Sequence, residues 1–242
     1  MAVGTEVCHV TAQPNQSLGR GLEVLHALCG AEGPIGSREL SRRLGMEHTR
    51  VNRLLGTMAA LGLAERTADR RYRPGPAVHV LAASSLRSSG LLQAALPIIR
   101  ELHAEGFGAA LGVLWRDQVC YLYHGKPNQP LERGLAGHQL FPAAWSSIGT
   151  ILRAQTDPEL VAHKELGWAW VVPPKNPDLP NAPVGGSMAA PVGSPIVAAL
   201  AIIPSDKSNP AQFAPRLLAA AAAITAAAIP APRSAATAAK PT

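Results

Sequence analysis

Nine arginines fall between residues 35 and 75: Arg38, Arg42, Arg43, Arg50, Arg53, Arg66, Arg70, Arg71 and Arg73. Four acids, Glu39, Glu47, Glu65 and Asp69, oppose them, so the segment carries a net +5. The chemistry open to such a set is recognition of phosphates and base edges. A guanidinium can bond guanine O6 and N7 together, and an asparagine amide can do the same for adenine N6 and N7. Arginines that meet phosphate oxygens fix register without reading sequence. On this basis His48, Thr49, Arg50 and Asn52 are the candidate reading group, with Arg50 aimed at a base. Arg53 suits a phosphate or the interior of the unit. Arg38, Arg42, Arg43, Arg70 and Arg71 suit phosphate clamps. The competing reading, that each arginine only solvates a polar face, holds position by position. It explains poorly why nine should cluster beside the turn chemistry described next.

These side chains need a scaffold, and the spacing supplies one. Leu18, Leu22, Leu25 and Leu28, with Val24 and Cys29, recur at helical intervals over 17–29, with Ser17 as a plausible N-cap and Gly30 and Gly33-Pro34 as the stop. A second helix over 37–44 has Gly36 or Ser37 as cap and Leu40 and Leu44 inward. Gly45 permits a sharp turn. A third helix over 48–61 buries Val51, Leu54, Leu55 and Met58 and leaves the candidate readers on its polar face. Residues 63–66 and 71–73 alternate as two short strands about 68–70, and Pro74-Gly75-Pro76 closes the unit. Two helices joined by a tight turn and followed by a hairpin predict a winged helix-turn-helix over 16–76, in which the third helix enters a groove of double-stranded DNA.

Beyond it, helical pattern runs over 77–104, divided by Ser84-Ser85, Ser88-Ser89-Gly90 and Pro97. A linker helix over 77–90 is expected, with Val78, Leu81, Ala82, Ser85 and Leu86 as a stripe for a second copy in a homodimer or homotetramer. Residues 107–115 and 118–124 read as a hairpin around Arg116-Asp117, 125–137 as loop, 144–155 as helix, 167–172, 188–192 and 196–203 as strands, and 211–229 as a last helix. The elements lack a βαβ rhythm, so the fold class is α+β, with a second domain over 91–229. The stretch 1–15 reads as a leader, and the Ala/Pro-rich 230–242 as a tail expected not to fold.

A ligand pocket needs an apolar lining with a few aimed polar groups. Leu111, Trp145, Ser146, Ser147 and Met188 are the candidates, each of which can equally be core. His124, His138 and His163 lack ligand spacing, so no metal is expected. No Ser-His-Asp set, carboxylate pair or phosphate loop stands out, so no catalytic residue and no cofactor are expected. The net charge of +6 over 242 residues favours an anionic partner. Cys8, Cys29 and Cys120 are widely spaced and fit a reducing cytoplasm. No run of about 18 apolar residues appears, and 217–229 is short and nearly all alanine, so no membrane partner is expected.

The stretches Gln16-Ser17-Leu18-Gly19-Arg20-Gly21-Leu22-Glu23-Val24-Leu25, Leu44-Gly45-Met46 and Val51-Asn52-Arg53-Leu54-Leu55-Gly56-Thr57-Met58, with the wing exit Tyr72-Arg73-Pro74-Gly75, resemble the first domain of the isocitrate-lyase-regulator (IclR) family. Val119-Cys120-Tyr121-Leu122, Gly149 and Ala189-Ala190-Pro191-Val192 look similar in the second domain. The resemblance implies a bacterial regulator with a GAF-like effector domain, dimeric or tetrameric, whose hold on a pseudo-palindromic operator is modulated by an organic acid or aromatic metabolite. The chain departs from that pattern at Thr150, where the family commonly has Lys or Arg, and in the prolines of 173–183. Two other functions compete: a DNA-binding regulator or architectural protein without small-molecule sensing, and a metabolite-binding or enzymatic module.

Overall fold

The computed structural model describes residues 13–135, 140–174, 185–206 and 208–228. The leader up to residue 12, His138, the prolines of 175–184 and the tail from 229 lie outside the described residues. The chain divides into two compact units, up to Ser85 and from Leu86.

In the first unit α1 (Gln16–Cys29), α2 (Ser37–Leu44) and α3 (His48–Ala60) precede a two-stranded wing, β1 (Ala64–Arg66) and β2 (Tyr72–Pro74). The cap of α1 is Asn15 rather than Ser17: the Asn15 side chain accepts the Leu18 N–H at 3.0 Å. Gly45 ends α2 at φ 59°, the left-handed region a glycine enters without a Cβ penalty. Ser41 Oγ donates to the Met46 carbonyl at 2.6 Å and braces the same turn. Leu40, Val51 and Leu55 are fully buried, together with Val24, Leu28, Ile35, Met46, Met58 and Tyr72. Leu44 and Leu54 are only half-buried and pack on the edge of this core. Antiparallel bonds between Ile35 and Tyr72 (2.8 and 2.9 Å) tie the wing back to the helices. Gly75 closes the unit where a Cβ would run into the Gly62 and Ala64 backbone.

The helix α4 (Pro76–Ser89) follows, and Gly90, at φ 60°, ends it. Of its expected stripe, Leu81, Ala82 and Ser85 are exposed, and Val78 and Leu86 half-buried. In the second unit Pro97 does not divide the helix: α5 (Leu91–Ala104) runs through it.

The sheet of the second unit has the order β5-β4-β3-β8-β7-β6, with every neighbour antiparallel. Its strands are β3 (Gly108–Trp115), β4 (Gln118–Gly125), β5 (Leu140–Pro142), β6 (Ala169–Val171), β7 (Ser187–Val192) and β8 (Ala198–Ile203). The β3–β4 turn places Arg116 at φ 58°. One face carries Leu111, Met188, Leu200 and Ile202, packed with Ile99 and Leu102 of α5 and Leu217 and Ile224 of α9 (Ala214–Ala228). The other face is lined by small residues, Ala110, Ala189, Ala199 and Ala201, and takes Ile148 and Ile151 of α7 (Ser147–Arg153). Strand alternation produces the split, and the alanines let α7 approach closely.

Several expectations shift here. The helix expected over 144–155 begins at Ser147, after a 3-10 turn at Ala143–Trp145. Gly149 is needed at that junction, because a Cβ there would run into the Ala143 backbone. The expected loop over 125–137 contains a short helix, α6 (Leu131–Leu135). The helix α8 (Val161–Leu166) and the edge strand β5 lack periodicity long enough to read from sequence. By length and composition alone the final stretch Pro210–Ala228 also suits a membrane span, a test that a buried core helix passes equally. Its Leu217, Ala220, Ala221 and Ile224 are buried against the sheet.

A buried polar pair spans α5 and β4. The His103 ring lies 2.8 Å from the Tyr123 hydroxyl through Nε2 and 3.0 Å from the Phe107 carbonyl through Nδ1. A carbonyl can only accept, so Nδ1 carries the hydrogen and Nε2 accepts from Tyr123. Burial, opposed by the bond to Phe107, holds the His103 pKa below the ordinary imidazole value. The unfolded chain therefore takes up a proton near pH ~6.5 that the folded chain refuses until lower pH. The stability contributed by His103 is full above that pH and declines as the pH falls below it. Thermal melts between pH 7.5 and 5.5 are expected to lose stability on acidification, and His103→Gln is expected to flatten part of that slope. An unchanged slope in the variant contradicts the assignment.

Candidate nucleic-acid interface and effector domain

The candidate recognition surface is built around the start of α3. The Glu47 carboxylate accepts the N–H groups of Thr49 (2.8 Å) and Arg50 (2.9 Å) and so caps the helix. Hydrogen bonds from Thr49, then from Arg50, hold this carboxyl below the usual range. Thr49, Arg50, Asn52 and Arg53 are exposed, on the side away from Val51 and Leu55. Arg53 therefore does not enter the interior of the helix-turn-helix. His48 is half-buried, and its Nε2 lies 3.1 Å from Ser37 Oγ, joining the starts of α2 and α3. Its ring is engaged in holding the two helices together.

The arginines separate into two groups by partner. Arg43 is paired with Glu39, Arg73 with Glu65 at 2.7 Å, and Arg71 with Asp69 at 3.4 Å. Arg71 also donates to the Pro34 carbonyl at 3.3 Å. Arg66 lies over the Tyr72 ring, 6.0 Å from its centroid. Among the described residues Arg38, Arg42, Arg50, Arg53 and Arg70 make no ion pair. Two of the expected clamps, Arg43 and Arg71, are thus already partly neutralised. No local signal marks Glu47 as a cap, because glutamate is not a favoured N-cap residue and Arg50, not Glu or Gln, stands at N3. The cross-strand partner of Arg73 depends on the wing register, which pairs Glu65 with Arg73.

In the second unit the five effector candidates do not converge. Leu111 and Met188 are fully buried on the sheet face covered by α5 and α9. Trp145, Ser146 and Ser147 lie at the start of α7, which covers the opposite face. Ser146 Oγ is 3.1 Å from the Tyr121 hydroxyl, and Ser147 Oγ is 2.8 Å from Ser187 Oγ. Rings line the same edge: Tyr121 lies 5.4 Å from His124 and 6.4 Å from Phe141, and Phe141 lies 6.4 Å from Trp145. Burial raises the Tyr121 pKa, against the Ser146 bond, so its hydroxyl stays protonated at neutral pH. No local signal in the sequence marks Tyr121 or Ser187, because polar strand residues of this kind look the same in ordinary sheet packing. Thr150 is buried in α7. A cleft of about 420 Å³ lies elsewhere, between α5 and the turn before α6; Arg100, His103, Gln129 and Glu132 line it, and none of the five candidates does.

The first unit is a winged helix-turn-helix, a class defined by the α2–turn–α3 pair with a β-hairpin behind it. Residues 17–68 match the IclR helix-turn-helix domain. Residues 17–68 are thus similar to the IclR helix-turn-helix, and the whole chain shares its fold with solved IclR-type regulators. It is 29% identical over 145 residues to the HTH-type transcriptional regulator BhcR of Paracoccus denitrificans, a match covering 59% of this chain. That match spans 52% of the relative's length, so the chain spans about half the length of this curated relative. An IclR family transcriptional regulator from Brucella abortus has the same fold, with a TM-score of 0.65 at 20% identity, covering 95% of this chain and 97% of that one. An IclR homolog from Microbacterium hydrocarbonoxydans, crystallised with 4-hydroxybenzoate, gives 0.61 at 19% identity, covering 88% and 98%.

Proposed function

We propose that the chain is a sequence-specific DNA-binding transcriptional regulator whose affinity for its operator is set by a small organic acid or aromatic metabolite bound in the second unit. The observation that carries the first half is the exposed set Thr49, Arg50, Asn52 and Arg53 on α3, with Arg38, Arg42 and Arg70 making no ion pair among the described residues. Arg50 and Asn52 read base edges. Arg38, Arg42, Arg53 and Arg70 meet phosphates, and Arg43 and Arg71 join them only by exchanging an acid for a phosphate. His48 holds the helix pair and Thr49 lies beside the base contact. The regulator works as a homodimer or homotetramer on a pseudo-palindromic operator, with the exposed Val80 and Leu81 of α4 facing a second copy. It acts in the cytoplasm and carries no catalytic step.

The effector reading is supported by the hydroxyls of Tyr121, Ser146, Ser147 and Ser187 beside an aromatic edge. Such a group suits a carboxylate attached to a small carbon skeleton or ring. The Microbacterium protein, which shares the fold, was crystallised with a compound of that kind. Within this reading Trp145, Ser146 and Ser147 touch the ligand, while Leu111 and Met188 set the sheet beneath it. Ligand would prefer one arrangement of the effector units and thereby change operator affinity.

A thermal-shift panel of aliphatic and hydroxy-aromatic acids on the full chain tests the effector half. At a hundredfold excess over Kd, a bound ligand adds ~2.7 kcal/mol, a shift of several degrees. The same compound is expected to change DNA affinity. A compound that stabilises the protein and leaves DNA binding unaltered contradicts the coupling. A panel without any stabiliser favours a DNA-binding protein that does not sense such acids.

A further inference from the structure

The wing carries a feature that phosphate contact alone does not explain. Arg70 sits at φ 62°, a left-handed conformation that glycine holds freely and a residue with a Cβ does not. The chain could relax this tip with a glycine, yet an arginine occupies it. Of the four wing arginines, Arg66 stacks on Tyr72, Arg71 pairs with Asp69 and Arg73 pairs with Glu65. Among the described residues Arg70 alone of the four has no partner.

One side chain joins two backbone bonds in holding the conformation. Thr67 Oγ1 accepts the Arg71 N–H at 3.1 Å, and it has both the Asp69 carboxylate and the Arg71 carbonyl within bonding distance. A hydroxyl has one hydrogen to give, and the charged, nearer carboxylate takes it. The backbone closes the same loop: Thr67 N–H donates to the Arg71 carbonyl at 2.9 Å and Arg70 N–H to the Thr67 carbonyl at 3.0 Å. Bonding to Thr67, ahead of the Arg71 charge, holds the Asp69 carboxyl below its usual range. Asp69 thereby occupies Arg71 as well, leaving Arg70 as the cation the tip presents.

We propose that Thr67 is a positioning residue for DNA binding: its hydroxyl locks the 67–71 tip so that Arg70 is presented to a DNA phosphate as a preformed contact. This rests on the DNA-binding reading above. Thr67 itself touches no DNA and acts only through Arg70.

A double-mutant cycle on the full chain tests it, using fluorescence anisotropy with a duplex selected by the wild-type protein from a random pool, at several salt concentrations. Arg70→Gly is expected to weaken binding about tenfold and to lower the salt slope by ~0.9, one phosphate contact. Thr67→Val is expected to reproduce most of both changes, and Thr67→Ser to restore them to within about twofold. In the Arg70→Gly background Thr67→Val is expected to change nothing further. Effects that multiply in the double variant, or a Thr67→Val protein with wild-type affinity and slope, overturn the proposal while leaving the DNA-binding reading intact. A wild-type protein that selects no duplex overturns both. Thr67→Ala gives a second route to the same comparison should the valine variant fold poorly.

Discussion

Replacing Arg50 with alanine is expected to lower affinity for the preferred duplex about ten- to a hundredfold, and to relax base preference at one position of each half-site. A bidentate guanidinium–guanine contact contributes ~1–3 kcal/mol of discrimination. Arg50 is the natural donor because it is exposed in the first turn of α3 and makes no ion pair among the described residues. Folding should not confound the measurement. The capping bond at this position uses the Arg50 backbone N–H and the Glu47 carboxylate, neither of which the substitution removes. Alanine is also a better helix former than arginine at an exposed position. Arg50→Ala should therefore melt like the wild type and fail on DNA. Retained affinity together with retained base preference would move the reading role to Asn52 or Thr49.

The second large effect is ionic. Among the described residues Arg38, Arg42, Arg53 and Arg70 are unpaired cations on the first unit. If each displaces one condensed counterion, log K falls with log salt at a slope of ~3.6 per subunit. Raising salt fourfold then costs about two orders of magnitude in affinity per subunit, by the same relation. The ion pairs sharpen this into a contrast between variants. Arg42→Gln is expected to reduce the slope by ~0.9, whereas Arg73→Gln should leave it unchanged, because Glu65 already neutralises Arg73 at 2.7 Å. Equal slopes for the two variants would mean that the intramolecular pairs break on binding.

Local signals made the first unit legible. Gly45 after Leu44, and the spacing Leu40, Val51, Leu55 and Met58, each report a short stretch of chain whose structure is decided nearby. The caps resisted: Asn15 serves α1 in place of Ser17, one turn earlier than the apolar pattern starts. In the second unit the failures are of a different kind. The strands β3, β7 and β8 are buried on both faces, so their composition does not say which face any residue joins. From sequence Leu111 and Met188 therefore fall in one group with Ser146 and Ser147, and the sheet separates them. The short β5 and α8 exist through contacts with distant strands and helices, which no window of sequence contains. The division of the arginines likewise depends on hairpin register, since Glu65 and Arg73 meet only across the wing.

Repeated rounds of selection from a random duplex pool, by the full wild-type chain at moderate salt, decide whether it reads DNA sequence. The pool is expected to converge on one motif with two related half-sites about one or more helical turns apart, bound far more tightly than the starting pool and degraded at one position by Arg50→Ala. A pool that stays random after selection, with equal affinity for early and late rounds, would contradict it.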